Sequence, residues 1–302
     1  MINMGKRIQL TLVVVLIVCL SGCGGSSAAQ VQDNGAYSQT TFTYPSEGED
    51  IAADLWLPAG SGPHPAVVMG HGSGRSRKEY GNAMAEHFVK LGYAVLTHDK
   101  RGVGGSGGDY VQRNNASAEN LTLLAKDIAA GIDYLKKRPD IDAGQIGLWG
   151  WSQAGWILPI VTSMQDNIKF VILCSGPTVT VGEENTYSAL TGDRSIDTGL
   201  TQEEMSAKLR ERGAYGFDPM PFLEQMDMPA LWLLGEADES IPIPETVAHL
   251  DRLIKTGKPF QYKLYPNANH GLRVDGVRVE DFWQVQDQFL KEVVGIKLAD
   301  SK

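Results

Sequence analysis

From residue 66 to residue 293 short, mostly apolar runs alternate with longer amphipathic stretches. These runs fall at 66–69, 93–97, 146–149, 170–174 and 230–234, with a further strand predicted over 260–265. Runs this short are strands rather than helices, and most carry no polar alternation, so both of their faces are covered. Helices are predicted over 80–91, 117–137, 153 to about 164, 244–255 and 279–293. The second of these is the strongest, since Leu121, Leu124, Ile128, Ile132 and Leu135 recur at three- and four-residue intervals. Strands alternating with helices predict an α/β architecture, a mostly parallel sheet flanked by helices. Two antiparallel strands, 38–44 and 50–57, precede it and are joined through Ser46-Glu47-Gly48. A single domain over 38–302 accounts for this pattern. Only 176–228 breaks it, being too long for an ordinary connection. It is read as a small helical lid, with one clear helix at 202–212 whose start carries Thr201 and Glu204 at capping-box spacing.

The beginning of the chain belongs to another process. Lys6 and Arg7 precede an apolar run over 8–20, and small residues end it. That is the form of a secretory signal over 1–22, and the run is shorter than the ~20 residues of a membrane span. Leu20-Ser21-Gly22-Cys23 resembles the bacterial lipobox, in which the Cys is lipidated and becomes the mature N-terminus. The resemblance implies a membrane partner through a lipid anchor on Cys23, with 23–37, rich in Gly, Ser and Gln, as a flexible tether. Gly24 stands where Asp would give the inner-membrane retention signal of enterobacterial lipoproteins. The expected address is therefore an exported, lipid-anchored one, at the outer membrane and periplasm or the cell surface. Cys19 falls in the signal and Cys174 in an apolar strand, which leaves no disulfide framework. Loss of 1–22 removes two cations and takes the net charge from −9 to −11. No basic stripe is left to hold phosphates, so nucleic acid is excluded as a partner.

The chemistry is concentrated at Gly150-Trp151-Ser152-Gln153-Ala154-Gly155, directly after a strand and opening a helix. A serine hydroxyl becomes a nucleophile when a base takes its proton and a sharp turn lifts its oxygen clear of the sheet. Gly150 and Ala154, two before and two after Ser152, are the small flanks such an elbow needs. The usual second Gly is Ala here. Of the six His residues, only His270, in Asn267-Ala268-Asn269-His270-Gly271, follows the last predicted strand in a loop. The carboxylate comes from the loop Gly235-Glu236-Ala237-Asp238-Glu239-Ser240-Ile241-Pro242, with Asp238 as the candidate and Glu236 and Glu239 as its competitors. Loops at the carboxyl ends of parallel strands open on one edge of a sheet, where Ser152, Asp238 and His270 can meet. An oxyanion needs two N–H donors. The candidates are the amides of Gln153, at a helix N-terminus, and Ser73, in the turn His71-Gly72-Ser73-Gly74. His71 itself is read as holding that turn. Gly102-Val103-Gly104-Gly105-Ser106-Gly107 matches a dinucleotide fingerprint, but no helix opens after it to hold a pyrophosphate. No two His or Cys residues on one element have metal-ligand spacing, so no metal site is expected.

The order Ser, acid, His, together with His71-Gly72-Ser73-Gly74, Asp99-Lys100-Arg101-Gly102-Val103-Gly104 and Gly235…Asp238…Pro242, resembles the α/β-hydrolase superfamily over about 41–290. The resemblance is to the dienelactone-hydrolase, prolyl-oligopeptidase and bacterial esterase branches. It implies the α/β-hydrolase fold and a cofactor-free serine hydrolase acting on a small-molecule carboxylic ester through an acyl-enzyme. Aminopeptidase-like and thioesterase activities are alternatives on the same residues, and a catalytically inactive binding lipoprotein is the alternative outside enzymes. A dienelactone hydrolase proper would carry Cys, and a haloalkane dehalogenase Asp, at position 152. Full-length oligopeptidases place a propeller ahead of the hydrolase domain, for which residues 1–40 leave no room; an ester is the expected substrate on that ground.

Overall fold

The apolar runs line up as one ten-stranded sheet in the computed structural model, which describes residues 14–17, 30–33, 35–192 and 199–295. Its strands are β1 (Val14–Ile17), β2 (Gln30–Asp33), β3 (Tyr37–Ser46), β4 (Glu49–Pro58), β5 (His64–Gly70), β6 (Ala94–His98), β7 (Ile141–Trp151), β8 (Ile168–Cys174), β9 (Ala230–Gly235) and β10 (Phe260–Tyr265). They run in the order β1-β2-β3-β4-β6-β5-β7-β8-β9-β10. Neighbours from β6 to β10 are parallel, and those from β1 to β4, with the β4–β6 pair, are antiparallel. A hairpin of β11 (Arg273–Val274) and β12 (Val277–Arg278) stands apart from this sheet.

Period-two alternation divides the strands between two cores. Val68 and Leu148 pack on one face beneath α2 (Ala118–Lys136), α3 (Ala154–Met164) and α7 (Ile243–Lys255). Val67, Met69 and Trp149 pack on the other beneath α1 (Asn82–Lys90) and α8 (Phe282–Glu292). Helix α2 starts one residue later than predicted, with Ser117 as its cap: the Ser117 side chain accepts from the Asn120 N–H. On that face Arg101 and Asp127 form a buried ion pair, with Ser46 adding a hydroxyl to Asp127 at 2.7 Å. It ties the start of the parallel half to the β3–β4 hairpin.

Three features differ from the sequence expectation. Part of the expected tether is structured: Gln30–Asp33 pairs antiparallel with β3, because Tyr37–Ser46 otherwise ends the sheet with unpaired backbone groups. Val14–Ile17, inside the expected signal, pairs in turn with β2, while Cys23 and the rest of 18–29 lie outside the described residues. Among the described residues the insertion after β8 holds three helices rather than one: α4 (Val181–Leu190), α5 (Gln202–Arg212) and the short α6 (Met220–Leu223). Thr180 and Glu183 cap α4 as reciprocally as Thr201 and Glu204 cap α5. Val181, Met220 and Leu223 join the main core, so most of the insertion is docked on the body; 193–198 lie outside the described residues. Finally, the closing helix begins at Phe282 rather than 279, after the β11–β12 hairpin.

Candidate active site

β7 turns into α3 through Ser152, whose φ of 54° lies in the left-handed region, uncommon for a residue with a Cβ. The surroundings fix this conformation. The Ser152 N–H donates to the Cys174 carbonyl on β8 at 2.9 Å, and the Gly155 N–H donates to the Ser152 carbonyl at 2.8 Å. A Cβ at Gly150 would stand 2.4 Å from the Ala154 Cβ, and one at Gly155 would stand 2.6 Å from Pro177. The missing side chain at 150 is what leaves room for Ala at 154.

His270 lies in the loop after β10. The Asn269 carboxamide braces that loop by accepting from the Gly271 and Arg273 N–H groups, and the Ser175 hydroxyl donates to the His270 carbonyl at 2.8 Å. His270 Nε2 is 3.0 Å from Ser152 Oγ, and its Nδ1 is 2.8 Å from Asp238 Oδ2. The other carboxylate oxygen, Oδ1, accepts from the Ser240 and Ile241 N–H groups at 2.8 and 2.9 Å. Asp238 is 1% exposed and acceptor-only, so the Nδ1 proton is held toward it and the Nε2 lone pair faces the serine. The chain thus brings Ser152, His270 and Asp238 into one relay, with neither Glu236 nor Glu239 against the imidazole. The lid braces the acid loop: Tyr187 of α4 donates its hydroxyl to the Asp238 carbonyl at 3.1 Å, and Thr191 donates to that of Glu239.

Ser73, Ser152 and Gln153 line one narrow cleft of about 160 Å³, together with Asn115, Trp156 and Glu184. A Cβ on Gly72 would lie 3.6 Å from the Ser152 Cβ, which places the 71–74 turn directly against the nucleophile. A wider cavity of about 520 Å³ adjoins it, sharing Asn115, Ala116 and Asn185 and bounded by Val181 and Phe217 of the insertion. Trp156 is the tryptophan that faces the cleft, with its Nε1–H donated to the Val179 carbonyl. Trp151 instead packs toward Phe282, beneath the Arg278 guanidinium. Of the lid residues, Phe217 borders the outer cavity, whereas Tyr187 and Met220 are buried. His71 is buried and donates its Nε2–H to the His98 carbonyl; burial pushes its pKa down to about 4, so the ring holds the turn as a neutral group.

Sequence reading gave no role to Lys100, which is buried behind the same turn and whose pKa burial pushes down to about 7. The available signal was its place, two residues past the end of β6, a strand buried along its whole length.

A serine presented on a strand–helix elbow, a histidine bonded to it and a buried carboxylate behind the histidine define an α/β-hydrolase-fold serine hydrolase. Residues 80–297 match the prolyl oligopeptidase family, and the chain belongs to it. Human dipeptidyl peptidase 8 is 29% identical over 191 residues, which are 62% of this chain and 20% of that protein. The chain spans between about a fifth and a half of the length of the curated relatives it matches. Among solved structures, an esterase of Pyrococcus furiosus superposes with a TM-score of 0.61 at 20% identity, covering 84% of this chain and 90% of its own. An acylaminoacyl peptidase of Pyrococcus horikoshii gives 0.64 at 17% identity, covering 91% and 47%. Both share the fold.

Proposed function

We propose that the chain is a carboxylesterase that cleaves small carboxylic esters through an acyl-enzyme on Ser152. The observation that carries the ester reading is the cleft against Ser152: about 160 Å³, below the ~300–1,000 Å³ usual for drug-sized ligands, it admits a short acyl group. His270 takes the Ser152 proton as Oγ attacks the carbonyl carbon, and the Ser73 and Gln153 amides receive the developing oxyanion. His270 then gives the proton to the leaving alcohol. Water enters and passes a proton to His270 as it attacks the acyl carbon; His270 then returns that proton to Ser152 Oγ as the acyl–oxygen bond breaks and the acid leaves. Asp238 keeps the imidazole in the working tautomer throughout.

A peptidase reading has its own support. Glu184 lines the cleft, where its carboxylate can attract the free amine of an aminoacyl substrate, and several relatives are named as peptidases. A panel of short and long acyl p-nitrophenyl esters, acyl thioesters and aminoacyl amides separates the two. The ester reading expects kcat/KM to be highest for acetyl to butyryl esters and at least ~10²-fold lower for aminoacyl amides. Faster cleavage of the amides would replace it with the peptidase reading.

We propose further that the enzyme is exported and tethered through lipid on Cys23, a reading supported by the lipobox-like Leu20-Ser21-Gly22-Cys23. Cys23→Ala is expected to end incorporation of labelled palmitate and move the protein out of the membrane fraction. Unchanged labelling would remove the anchor from the account.

A further inference from the structure

Lys100 sits at the carboxyl end of β6 with 2% of its surface exposed, the only fully buried lysine among the described residues. Its ammonium has three acceptors within reach: the Gly72 carbonyl at 2.7 Å, Gln153 Oε1 at 2.8 Å and the Gly74 carbonyl at 3.5 Å. All three belong to the two segments that supply the oxyanion donors. Gln153 is held at its other side too, since its Nε2 donates to the Asn115 carbonyl at 3.0 Å. The next carbonyl of the turn, that of Ser73, accepts from the Tyr110 hydroxyl at 2.8 Å and from Asn115 Nδ2 at 3.2 Å.

The Gly72 oxygen and the Ser73 N–H are the two ends of one peptide unit. That unit is trans, and in a trans peptide the C=O and N–H point in opposite directions. A cation gripping the oxygen from behind the turn therefore turns the N–H the other way, toward the cleft Ser73 shares with Ser152. The same grip polarises the amide and strengthens it as a donor. We infer that Lys100 is a positioning residue for the oxyanion site, clamping the Gly72–Ser73 peptide and the Gln153 side chain in register from behind. This rests on the two-donor reading proposed above. A buried ammonium is costly to keep, and a purely apolar contact at this place would not require one; burial pushes its pKa down to about 7.

The test is Lys100→Met, which keeps the length of the side chain and removes the charge. With the Ser73 donor still present but no longer aimed, kcat for p-nitrophenyl acetate should fall roughly tenfold to a hundredfold, less than the 10²–10³ for deleting a donor outright. KM should stay within about threefold, because the ground-state carbonyl hardly uses the donor. Affinity for a boronic acid, which forms a tetrahedral anion on Ser152, should fall by the same factor as kcat, while the unfolding midpoint holds or rises. Unchanged kcat, or a loss confined to KM and stability, would make Lys100 merely structural. If the variant does not fold, the wild-type enzyme decides through ¹⁵N-lysine NMR: the Lys100 ammonium signal should shift when Ser152 is phosphonylated, and a signal that stays put overturns the inference. A wild-type chain that neither turns over esters nor takes the phosphonate would instead sink the hydrolase assignment.

Discussion

Ser152→Ala is expected to lower kcat for p-nitrophenyl acetate by about 10⁶, the scale on which removal of the nucleophile acts in serine hydrolases. Ser152 Oγ lies 3.0 Å from His270 Nε2, and the elbow holds it there at the cost of a left-handed backbone. Ala removes one atom and leaves the cleft, the two amides and the imidazole in place. Any residual rate should come from those parts and lie no more than ~10³–10⁴ above water. The same substitution should not weaken the fold, since among the described residues the Ser152 side chain is bonded to His270 alone. Burst kinetics settle the point: the wild type should release one equivalent of p-nitrophenol rapidly if deacylation is slower than acylation, and the variant none. Retained turnover in the variant would remove Ser152 from the mechanism.

Asp238→Asn is expected to cost about 10⁴ in kcat with little change in folding. The carboxamide can keep its oxygen on the Ser240 and Ile241 N–H groups, which now bond Oδ1. Its NH₂ then faces His270 Nδ1, where the carboxylate Oδ2 sits at 2.8 Å. A donor there forces Nδ1 to become the acceptor and moves the ring proton to Nε2, so the ring can no longer receive a proton from Ser152. The loss is of tautomer, not of shape, and it should appear in kcat with KM nearly constant. A fall of less than about tenfold would mean that Asp238 does not set the imidazole proton.

Much of this site was legible before any coordinates, for a physical reason. The parallel half of the sheet leaves short apolar runs set between stretches of three-to-four-residue period, and nucleophile, acid and base each follow a predicted strand, so chain order fixes which edge they share. Phe260–Tyr265 appears with the predicted bounds, and α2 falls within one residue of its predicted bounds at each end. What escaped was weakly patterned. Helix α4 buries only Val181, Gly182 and Tyr187, too few for an apolar stripe, although its Thr180–Glu183 capping box could have been read. The β11–β12 hairpin turns at Asp275-Gly276, both at positive φ, a strong short-range signal hidden inside what reads as the approach to a helix. The strand at Gln30–Asp33 has one apolar residue, Val31, and exists through pairing with β3 rather than through its own composition. The role of Lys100 is not legible in the sequence because its partners are distant in the chain, the Gly72 carbonyl 28 residues earlier and the Gln153 side chain 53 residues later.

The central claim is that Ser152 is an activated nucleophile, drawn out by His270 and Asp238. Labelling the folded, full-length chain with a fluorophosphonate tests it most directly. One equivalent should attach per chain, on the peptide carrying Ser152, with no label on the Ser152→Ala chain under the same conditions. A folded wild-type chain that takes up no label, or takes it at another residue, would contradict the account.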